Sequence, residues 1–552
     1  MNHRRPHSSD PVRQHPGPRG AAPPLGMGSG GVDGCPGHCD TLQNPLSRRD
    51  LVDAVALDEL AADGKACCVD YSHLVIRGHG TSDQGSLAGL MARPDARTVA
   101  AASVETQYGW DIQVAMAAPV FAAALGSTEI VRAGQGGQSH FRGLRRENRD
   151  SPRERLQHWE HLAVGAALAG ITLVCGDNVC GADPRLELGP RKQILAAPEM
   201  DRRIRAYRQY HRGLGELLVQ ISVEDARLGV PEYLIDKHGL ETIELKWGAG
   251  AGFGDGQATV DSLDWALELQ RRGCLVIPDP SDPMIQAAYR CGAIRQFERH
   301  HRIGFVDESS FLAECDRLRR LGFRRITLHA GACGPRELAR AVTWGSKARL
   351  DLVTVGDFSA GEDIGGPLAR QERGARGIFL HAAAVQCADR LAAQGHRVPD
   401  LAFAGGFNTE AQVFKALALG SPYVKAIGIG LPMTIPNQAS AVGAGVDHGG
   451  FPPTAGEHSE TLPECFPYWN EVAGMVGKDA IATIPLGAIG VYAFVRQLSG
   501  GLRQWMARVR CSNLGSIRRR DLASLTRACA EATGIPYLAE ASREVAEAAL
   551  DA

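Results

Sequence analysis

The chain lacks an excess of charge of either sign. Its 552 residues carry 60 lysines and arginines against 62 aspartates and glutamates, a formal net charge of -2. Without a basic surplus, neither nucleic acid nor an anionic membrane is expected as a partner. The sequence also lacks a run of about 18 uncharged apolar residues, the length that a membrane-spanning helix needs. With 44% hydrophobic residues, the composition is typical of a globular protein.

The amino-terminal segment lacks the apolar stretch and cleavage site of a secretory signal. Fourteen cysteines in so long a chain are too dilute for a disulfide scaffold, so a cytoplasmic location is expected. Residues 1–45 carry few large apolar side chains and are predicted to be a disordered leader. Cys35 and Cys39 lie in this leader, but no second pair follows at zinc-finger or ferredoxin spacing, and no metal site is expected.

From about residue 110, short apolar runs alternate with helical patterns. Hydrophobicity within each run is continuous, which is typical of parallel strands that are buried on both faces. We predict eight strands, at residues 114–123, 171–176, 216–222, 242–248, 326–330, 350–357, 401–406 and 424–430. Eight strand–helix units predict a parallel (β/α)8 TIM barrel of the α/β class. A doubly wound open sheet is the alternative, and an extra apolar run at 274–280 leaves the strand count open by one.

The intervening segments have helical patterns, several beginning at a capping residue or proline and ending at glycine. They lie at 156–169, 231–238, 260–272, 310–321, 335–344, 385–394 and 409–419, with further helices at 521–533 and 542–550. We therefore predict a lead-in at 46–109, a barrel at 110–440 and a C-terminal helical cap at 441–552. No G-x-G-x-x-G motif follows the first strand, which disfavours dinucleotide binding.

Small residues follow the last two predicted strands. In a parallel barrel the reactive groups lie at the carboxyl ends of the strands, where glycine lets backbone N–H groups approach an anion. A phosphate site is therefore predicted at Gly405, Gly406, Gly428 and Gly430. The alternative interpretation is that these glycines only allow the chain to turn.

Ionisable side chains mark the ends of other strands. A lysine inside a buried strand is costly unless an anion meets it, so Lys246 is the first-choice functional residue. The glycine-rich residues 248–256 that follow allow close approach of a ligand, or form an exposed loop. Asp177 and Asn178 follow the second strand, between Cys175 and Cys180, for which packing and a reactive thiol are the alternatives. His329 and Asp357 end the fifth and sixth strands, either as ligand contacts or as structural groups.

Four strings occur in a fixed order along the chain. They are Leu245-Lys246 with Gly-Ala-Gly-Ala at 248–251, Gly-Gly-Pro-Leu at 365–368, Phe-Ala-Gly-Gly-Phe-Asn-Thr at 403–409, and Phe-Lys-Ala-Leu-Ala-Leu-Gly at 414–420. Together they resemble the FMN-binding barrel of the glutamate synthase family, in its stand-alone, archaeal-type branch. The match covers about residues 110–550.

The resemblance implies FMN across the carboxyl face, with its phosphate on the four glycines and Lys246 as the family lysine of the fourth strand. Asn178 and Gly181 then fall in the loop that lines the flavin and substrate pocket. The family reaction adds ammonia to 2-oxoglutarate and reduces the imine with the flavin.

Three departures from the family accompany the resemblance. Ala249 and Gly252 stand in a string that usually reads Gln-Gly-Ala-Lys, so two groups expected to hold the keto acid are missing. His329 replaces a lysine near the flavin. The cysteines that bind an iron–sulfur centre in larger synthases are absent, so no such cluster is expected, and without a glutaminase cysteine the ammonia is expected free or from a partner protein.

The sequence therefore predicts an FMN-dependent oxidoreductase acting on CH–NH2 donors. Lys246 is expected to bind flavin or a substrate anion, and His329 to stabilise the reduced ring. Asp357 and Asp177 are the candidate proton carriers. The substrate is expected to be an amino or keto acid other than 2-oxoglutarate, with an electron-donor protein as a further partner. Redox-neutral amine exchange, as in N-methylglutamate synthases, and a flavin-binding scaffold without catalysis are the alternatives.

Overall fold

The computed structural model describes residues 74–76, 104–105, 111–112, 129–133, 152–247, 258–300, 307–330, 334–356, 377–405, 407, 409–429, 463, 466, 468–511 and 513–550. Its strands are β1 (Leu74–Ile76), β2 (Val104–Glu105), β3 (Asp111–Ile112), β4 (Glu129–Ala133), β5 (Thr172–Cys175), β6 (Glu187–Leu188), β7 (Ile194–Ala196), β8 (Leu217–Ile221), β9 (Thr242–Trp247), β10 (Ala258–Val260), β11 (Leu275–Ile277), β12 (Phe297–His300), β13 (Arg325–Ala330), β14 (Leu352–Gly356), β15 (Asp400–Gly405), β16 (Val424–Ile429) and β17 (Leu522–Ser524).

The helices of these ranges are numbered in the same way. They are α1 (Pro152–Ala169), α2 (Val179–Ala182), α3 (Pro198–Arg208), α4 (Val223–Leu228), α5 (Val230–His238), α6 (Leu263–Arg271), α7 (Pro283–Arg290), α8 (Glu308–Leu321), α9 (Pro335–Lys347), α10 (Gly377–Ala393), α11 (Glu410–Leu419), α12 (Trp469–Val476), α13 (Leu486–Arg508), α14 (Arg527–Thr533) and α15 (Leu538–Leu550). None of these helices is long and apolar enough to cross a membrane.

Eight parallel strands close into a barrel. Their order is β4, β5, β8, β9, β13, β14, β15 and β16, and β16 pairs with β4. Each neighbouring pair is parallel, with connections that run through helices. The predicted TIM barrel is confirmed, and the doubly wound open sheet is excluded by the closure.

Seven of the predicted barrel strands match β5, β8, β9, β13, β14, β15 and β16 closely. The first was predicted at 114–123, which lies outside the described residues, and β4 holds the place between β16 and β5. That assignment was wrong because β4 contains Glu129 and Arg132, so its sequence does not read as a continuous apolar run.

The extra run at 274–280 forms a strand outside the barrel. Strands β10, β12 and β11 form an antiparallel sheet in that order within the insertion at 258–300. This sheet and helix α6 share a small core, formed by Val260, Ala266, Leu269, Cys274, Val276 and Phe297. The insertion follows β9, so it extends the carboxyl end of the barrel.

The carboxyl-terminal part completes the outer layer of helices. Helix α13 packs against both α1 and α11, which places it between the first and last helices around the barrel. The predicted helix at 521–533 is wrong in its first part, because Leu522–Ser524 is strand β17, which pairs antiparallel with β1. The remainder is helix α14, and α15 confirms the helix predicted at 542–550. The proposed boundaries of leader, lead-in and cap stay predictions.

Candidate functional site

Lys246 and His329 lie side by side at the carboxyl ends of two barrel strands. They are direct partners in the register between β9 and β13. Lys246 is 8% exposed and His329 is 1% exposed. A Cβ atom at Gly356 on β14 would lie 3.2 Å from Cε1 of His329, so the imidazole packs against bare backbone. The structure thus brings together the two side chains that the sequence assigned to different strand ends.

Lys246 faces Asp177 across the mouth of the barrel. Its Nζ atom lies 3.6 Å from Oδ1 of Asp177, and both side chains are buried. Asp177 follows β5 whereas Lys246 ends β9, and β8 lies between these strands. An ion pair between non-adjacent strands has to cross the interior, so both groups point into the mouth.

The turn that carries Asp177 is held by hydrogen bonds. Nδ2 of Asn178 donates to Oδ2 of Asp177 at 2.7 Å. The backbone N–H of Asn178 donates to Oδ2 of Asp225 at 2.8 Å. Asn178 has φ 63° and ψ 14°, the left-handed region that asparagine tolerates better than most residues. The sequence-predicted Asp177 and Asn178 therefore belong to one fixed turn.

Asp225 comes from helix α4, which begins directly after β8. Ser222 caps this helix, and Ser222 and Asp225 form a reciprocal capping box. Burial, then the neighbouring Asp177, raise the pKa of Asp225 to about 6. The site therefore holds a carboxyl group that changes charge close to neutral pH.

The two cysteines beside this turn are buried. Cys175 and Cys180 are fully buried. Burial raises the pKa of the Cys175 thiol although Nη1 of Arg203 lies 3.8 Å from Sγ, and burial raises the pKa of Cys180 well above its usual value. Burial thus favours the protonated form of both thiols, which supports the packing alternative over a reactive thiol.

A buried polar layer lies beneath Lys246. Glu244 is two residues earlier on β9, so it shares the inward face, and it is fully buried. Nε2 of Gln220 donates to Oε2 of Glu244 at 2.8 Å, and Oγ1 of Thr354 donates to Oε1 at 3.5 Å. Gln220 is the register partner of Glu244 on the adjacent strand β8, whereas the bond from Thr354 on β14 crosses the interior past β13. Together these bonds fix the strands that carry the site.

Small residues line the ends of β15 and β16. Ala404 pairs with Gly428, and Gly405 pairs with Ile429. Gly405 and Gly428 thus end adjacent strands, as a phosphate site requires. Gly406, Gly430 and Asp357 lie outside the described residues, as do residues 248–256, and their predicted roles stay predictions. The same holds for the leader with Cys35 and Cys39.

Sequence reasoning missed Ser222, Asp225 and Glu244. A signal for the first two was present, because Ser-x-x-Asp directly after a predicted strand is a helix-start motif. Glu244 had a weaker signal, since an acid at the i−2 position of a buried strand lysine shares its face.

No protein-family model matches this chain, and neither does any curated protein. Among solved structures, a double mutant of flavocytochrome b2 with pyruvate bound is 11% identical, with 84% of this chain and 79% of that chain covered and a TM-score of 0.42. The monotopic membrane protein (S)-mandelate dehydrogenase is 12% identical, with coverages of 89% and 99% and a TM-score of 0.40. The flavin-binding domain of baker's yeast flavocytochrome b2 is 10% identical, with coverages of 89% and 86% and a TM-score of 0.41. These are structures to which the chain is similar, and the barrel assignment rests on its own strand pairing.

Proposed function

We propose that this chain is an FMN-dependent oxidoreductase whose flavin lies at the carboxyl end of the barrel. The observation that carries the proposal is the buried, in-register pair of Lys246 and His329. At 3.6 Å from Asp177, Nζ of Lys246 is beyond the usual 2.7–2.9 Å of a charge-assisted hydrogen bond. Within the part of the chain that the structure describes, Nζ makes no hydrogen bond, so its donors are available to a ligand.

The residues present fit a flavin mononucleotide at both of its ends. A lysine and a histidine side by side suit the electron-rich edge of a reduced flavin ring, because both can donate hydrogen bonds to it. The backbone at Gly405 and Gly428 suits a phosphate, and Gly406 and Gly430 are proposed to complete that site. Asn178, on the turn across the mouth, is proposed to contact the cofactor.

In this proposal the protein supplies charge, orientation and proton transfer. When bound, FMN supplies the capacity to accept or donate a hydride. Lys246 holds the ring or a substrate anion and keeps positive charge beside it. His329 donates a hydrogen bond to the same edge, and Gly356 leaves it the space to do so. Asp177 is proposed to carry a proton next to Lys246, and Asp357 is proposed in the same role.

The substrate class follows from the family resemblance. We propose reduction of an imine, or transfer of an amino group, on an amino or keto acid, as in glutamate synthases. Because Ala249 and Gly252 replace polar groups of the family string, 2-oxoglutarate is not the preferred substrate in this proposal. Electrons then arrive from a partner protein, and ammonia arrives free in solution or from a partner protein.

Anaerobic half-reactions test the proposal. FMN-loaded protein is mixed with amino acids, N-methyl amino acids or 2-hydroxy acids, and flavin absorbance is followed. We expect an amine donor to bleach the flavin, and the reduced flavin to be reoxidised by the matching keto acid with ammonia. Bleaching by 2-hydroxy acids alone would contradict the amine assignment.

Further outcomes of the same assay separate the alternatives. Amine exchange between labelled compounds without bleaching would indicate the redox-neutral reaction. Flavin that no donor and no chemical reductant can bleach would indicate a scaffold. Efficient glutamate formation from 2-oxoglutarate would contradict the proposed change of substrate.

A further inference from the structure

We propose that Asp225 is a positioning residue of this site, which holds the backbone of Asn178 and thereby presents Asp177 to Lys246. The inference rests on the proposed function for the identity of the ligand. The residues involved lie on β9, on the turn that follows β5, and at the start of helix α4, which follows β8.

The turn at Asn178 needs an external acceptor. A non-glycine residue in the left-handed region carries a conformational cost, so such a turn persists where its surroundings determine it. The N–H of Asn178 finds its acceptor in Oδ2 of Asp225, 47 residues further along the chain. That oxygen also accepts from the backbone N–H of Ser222 at 3.0 Å and from its Oγ at 2.9 Å. One carboxylate oxygen therefore ties the turn after β5 to the helix start after β8.

The connection continues from the turn to the lysine. Asn178 donates through Nδ2 to Oδ2 of Asp177, and Oδ1 of Asp177 faces Nζ of Lys246. Asp177 and Asp225 are 6% and 3% exposed, so solvent does not replace these contacts. Moving the backbone of Asn178 therefore moves the counter-ion of Lys246.

The role of a helix cap alone does not account for all the hydrogen bonds of Asp225. In a capping box, the side chains of Ser222 and Asp225 satisfy backbone N–H groups of helix α4 itself. The bond to the N–H of Asn178 lies outside that box and involves Asp225. Oγ of Ser222 also donates to the turn, but only to the side-chain Oδ1 of Asn178 and at 3.5 Å. Loss of Ser222 therefore weakens the helix start and one long side-chain contact, whereas loss of Asp225 also releases the backbone of the turn.

Protonation of Asp225 is expected to weaken this connection. The charged group that acts on Asp225 is Asp177, and Asp225 in turn acts on the buried thiols of Cys175 and Cys180. Glu224 is its neighbour on α4, Glu199 and Arg203 act on Cys175, and Asp183 and Asp201 act on Cys180. Acids dominate this set, which agrees with the pKa of Asp225 being raised to about 6 by burial and by Asp177. Hydrogen bonds to a carboxylate are stronger than those to a neutral carboxyl, so the turn is held more firmly above pH 6.

Three variants separate positioning from capping. Asp225→Ala removes the acceptor, and Asp225→Asn keeps an oxygen acceptor but cannot ionise. Ser222→Ala removes the cap hydroxyl with its long contact to Oδ1 of Asn178, but it leaves the acceptor of the Asn178 N–H in place. For each, the unfolding transition, the FMN dissociation constant and the FMN absorption spectrum are measured from pH 5 to pH 8. Protein labelled with 15N-asparagine gives the amide signal of Asn178, assigned by its loss in Asn178→Gly.

Asp225→Ala is expected to raise the FMN dissociation constant about tenfold at pH 8, while Ser222→Ala stays within about twofold despite a similar loss of stability. The Asn178 amide signal should titrate with a midpoint near pH 6 in the wild type and should not titrate in Asp225→Asn. Equal changes in FMN affinity for Asp225→Ala and Ser222→Ala would overturn the proposal. So would an Asn178 signal that titrates unchanged in Asp225→Asn.

The amide measurement separates this inference from the proposed function. If the wild type does not bind FMN, the proposed function fails, but the Asn178 signal in flavin-free protein still decides whether Asp225 holds the turn. If FMN binds and the Asn178 signal does not depend on Asp225, the positioning role fails alone.

Discussion

His381 is a histidine held in its neutral form within the helix layer. It is fully buried in α10, and its ring stacks on Phe403 with 4.0 Å between ring centroids and an angle of 6° between the planes. Burial lowers the pKa of His381 to about 3, although the backbone at Val355 acts in the opposite direction. The folded chain therefore excludes a proton that the unfolded chain binds below about pH 6.5.

This exclusion predicts a loss of stability in mild acid. From pH 6.5 down towards pH 3 the unfolded state binds one more proton at this residue, so the contribution of His381 to the free energy of unfolding should fall by about 1.4 kcal/mol per pH unit. His381→Leu should remove that slope, and urea unfolding between pH 4.5 and pH 7 measures it. His396→Leu, which removes an exposed histidine, provides the matched control variant. An unchanged slope in His381→Leu would show that the buried ring is protonated in the folded chain.

Asp225 contributes with the opposite sign in the same range. Its pKa is raised in the folded chain, so the folded state binds the additional proton between about pH 6 and its unfolded value near 3.9. Its contribution stabilises the fold as the pH falls. The comparison of His381→Leu with the wild type cancels this term, because both proteins contain Asp225.

The side chains of the site were predictable only where the strand that carries them could be predicted. Lys246, Asp177, Asn178 and His329 each stand at the end of an apolar run, and the closed barrel brings those ends together. The role of Asp225 depends on a contact with Asn178 that forms only after β5 and β8 have paired. The local sequence predicts a helix cap at Ser222 and Asp225, but it does not reveal the contact between Asp225 and Asn178.

At the scale of elements, one arginine connects the insertion to the loop after β5. Arg272, at the end of α6, donates to the carbonyl of Asp183 at 2.6 Å and to that of Gly181 at 3.2 Å. Its side chain is 3% exposed and also bonds Glu268 at 2.9 Å. Arg271, its neighbour in sequence, is 75% exposed and contacts the same glutamate.

Arg272→Met should loosen both the insertion and the loop. We expect a loss of about 2–3 kcal/mol of stability and faster hydrogen exchange in residues 177–183, because two buried carbonyls lose a charged donor. Arg271→Met should change stability by less than about 0.5 kcal/mol, since exposed pairs contribute little. Denaturant unfolding with hydrogen-exchange mass spectrometry measures both. Identical exchange in the two variants would contradict the role given to Arg272.

The close contact of α1 with α13 depends on glycine at position 165, which has no side chain. A Cβ atom at Gly165 would lie 2.6 Å from Cβ of Val491 and 2.7 Å from the carbonyl oxygen of Ala488. At Gly500, also in α13, an added Cβ would meet no atom within 4 Å. The packing therefore has no room for a methyl group at Gly165, whereas it has room for one at Gly500.

Alanine at these positions should change stability in opposite directions. Gly165→Ala should cost about 1–3 kcal/mol, because one atom of the clash is backbone and the helices must separate. Gly500→Ala should add about 0.5–1 kcal/mol through helix propensity. The midpoints of urea unfolding, compared at an unchanged m-value, measure both changes. A stable Gly165→Ala protein would show that α13 does not pack against α1 in solution as it does here.

Elements were predictable where the local pattern was complete. Strand β17 is formed by pairing with Leu74–Ile76, far away in the chain, and a helical pattern does not reveal that partner. Strand β4 carries charged residues, so a criterion of continuous hydrophobicity missed it. Helix α13, which closes the outer layer, was not predicted separately from the tail.

At the scale of the whole molecule, the site forms only when the barrel closes. Its described groups come from the ends of β5, β8, β9, β13 and β14, which are distributed over much of the chain. Inside the barrel, the apolar layer of Val174, Leu218, Ala402 and Ala426 is small, and polar groups such as Glu244 and Gln220 share the interior. Ligand binding and folding are therefore coupled, and a ligand at 100 times its dissociation constant should stabilise the fold by about 2.7 kcal/mol.

Equilibrium titration of flavin-free protein with FMN, followed by flavin fluorescence, tests the central claim most directly. We predict one FMN per chain, a rise in unfolding temperature on binding, and at least about tenfold weaker binding in Lys246→Met because a buried charged donor is lost. Lys425→Met, which changes an exposed lysine on β16, should bind like the wild type. Failure of the wild type to bind FMN, or equal affinity in Lys246→Met and Lys425→Met, would contradict the account.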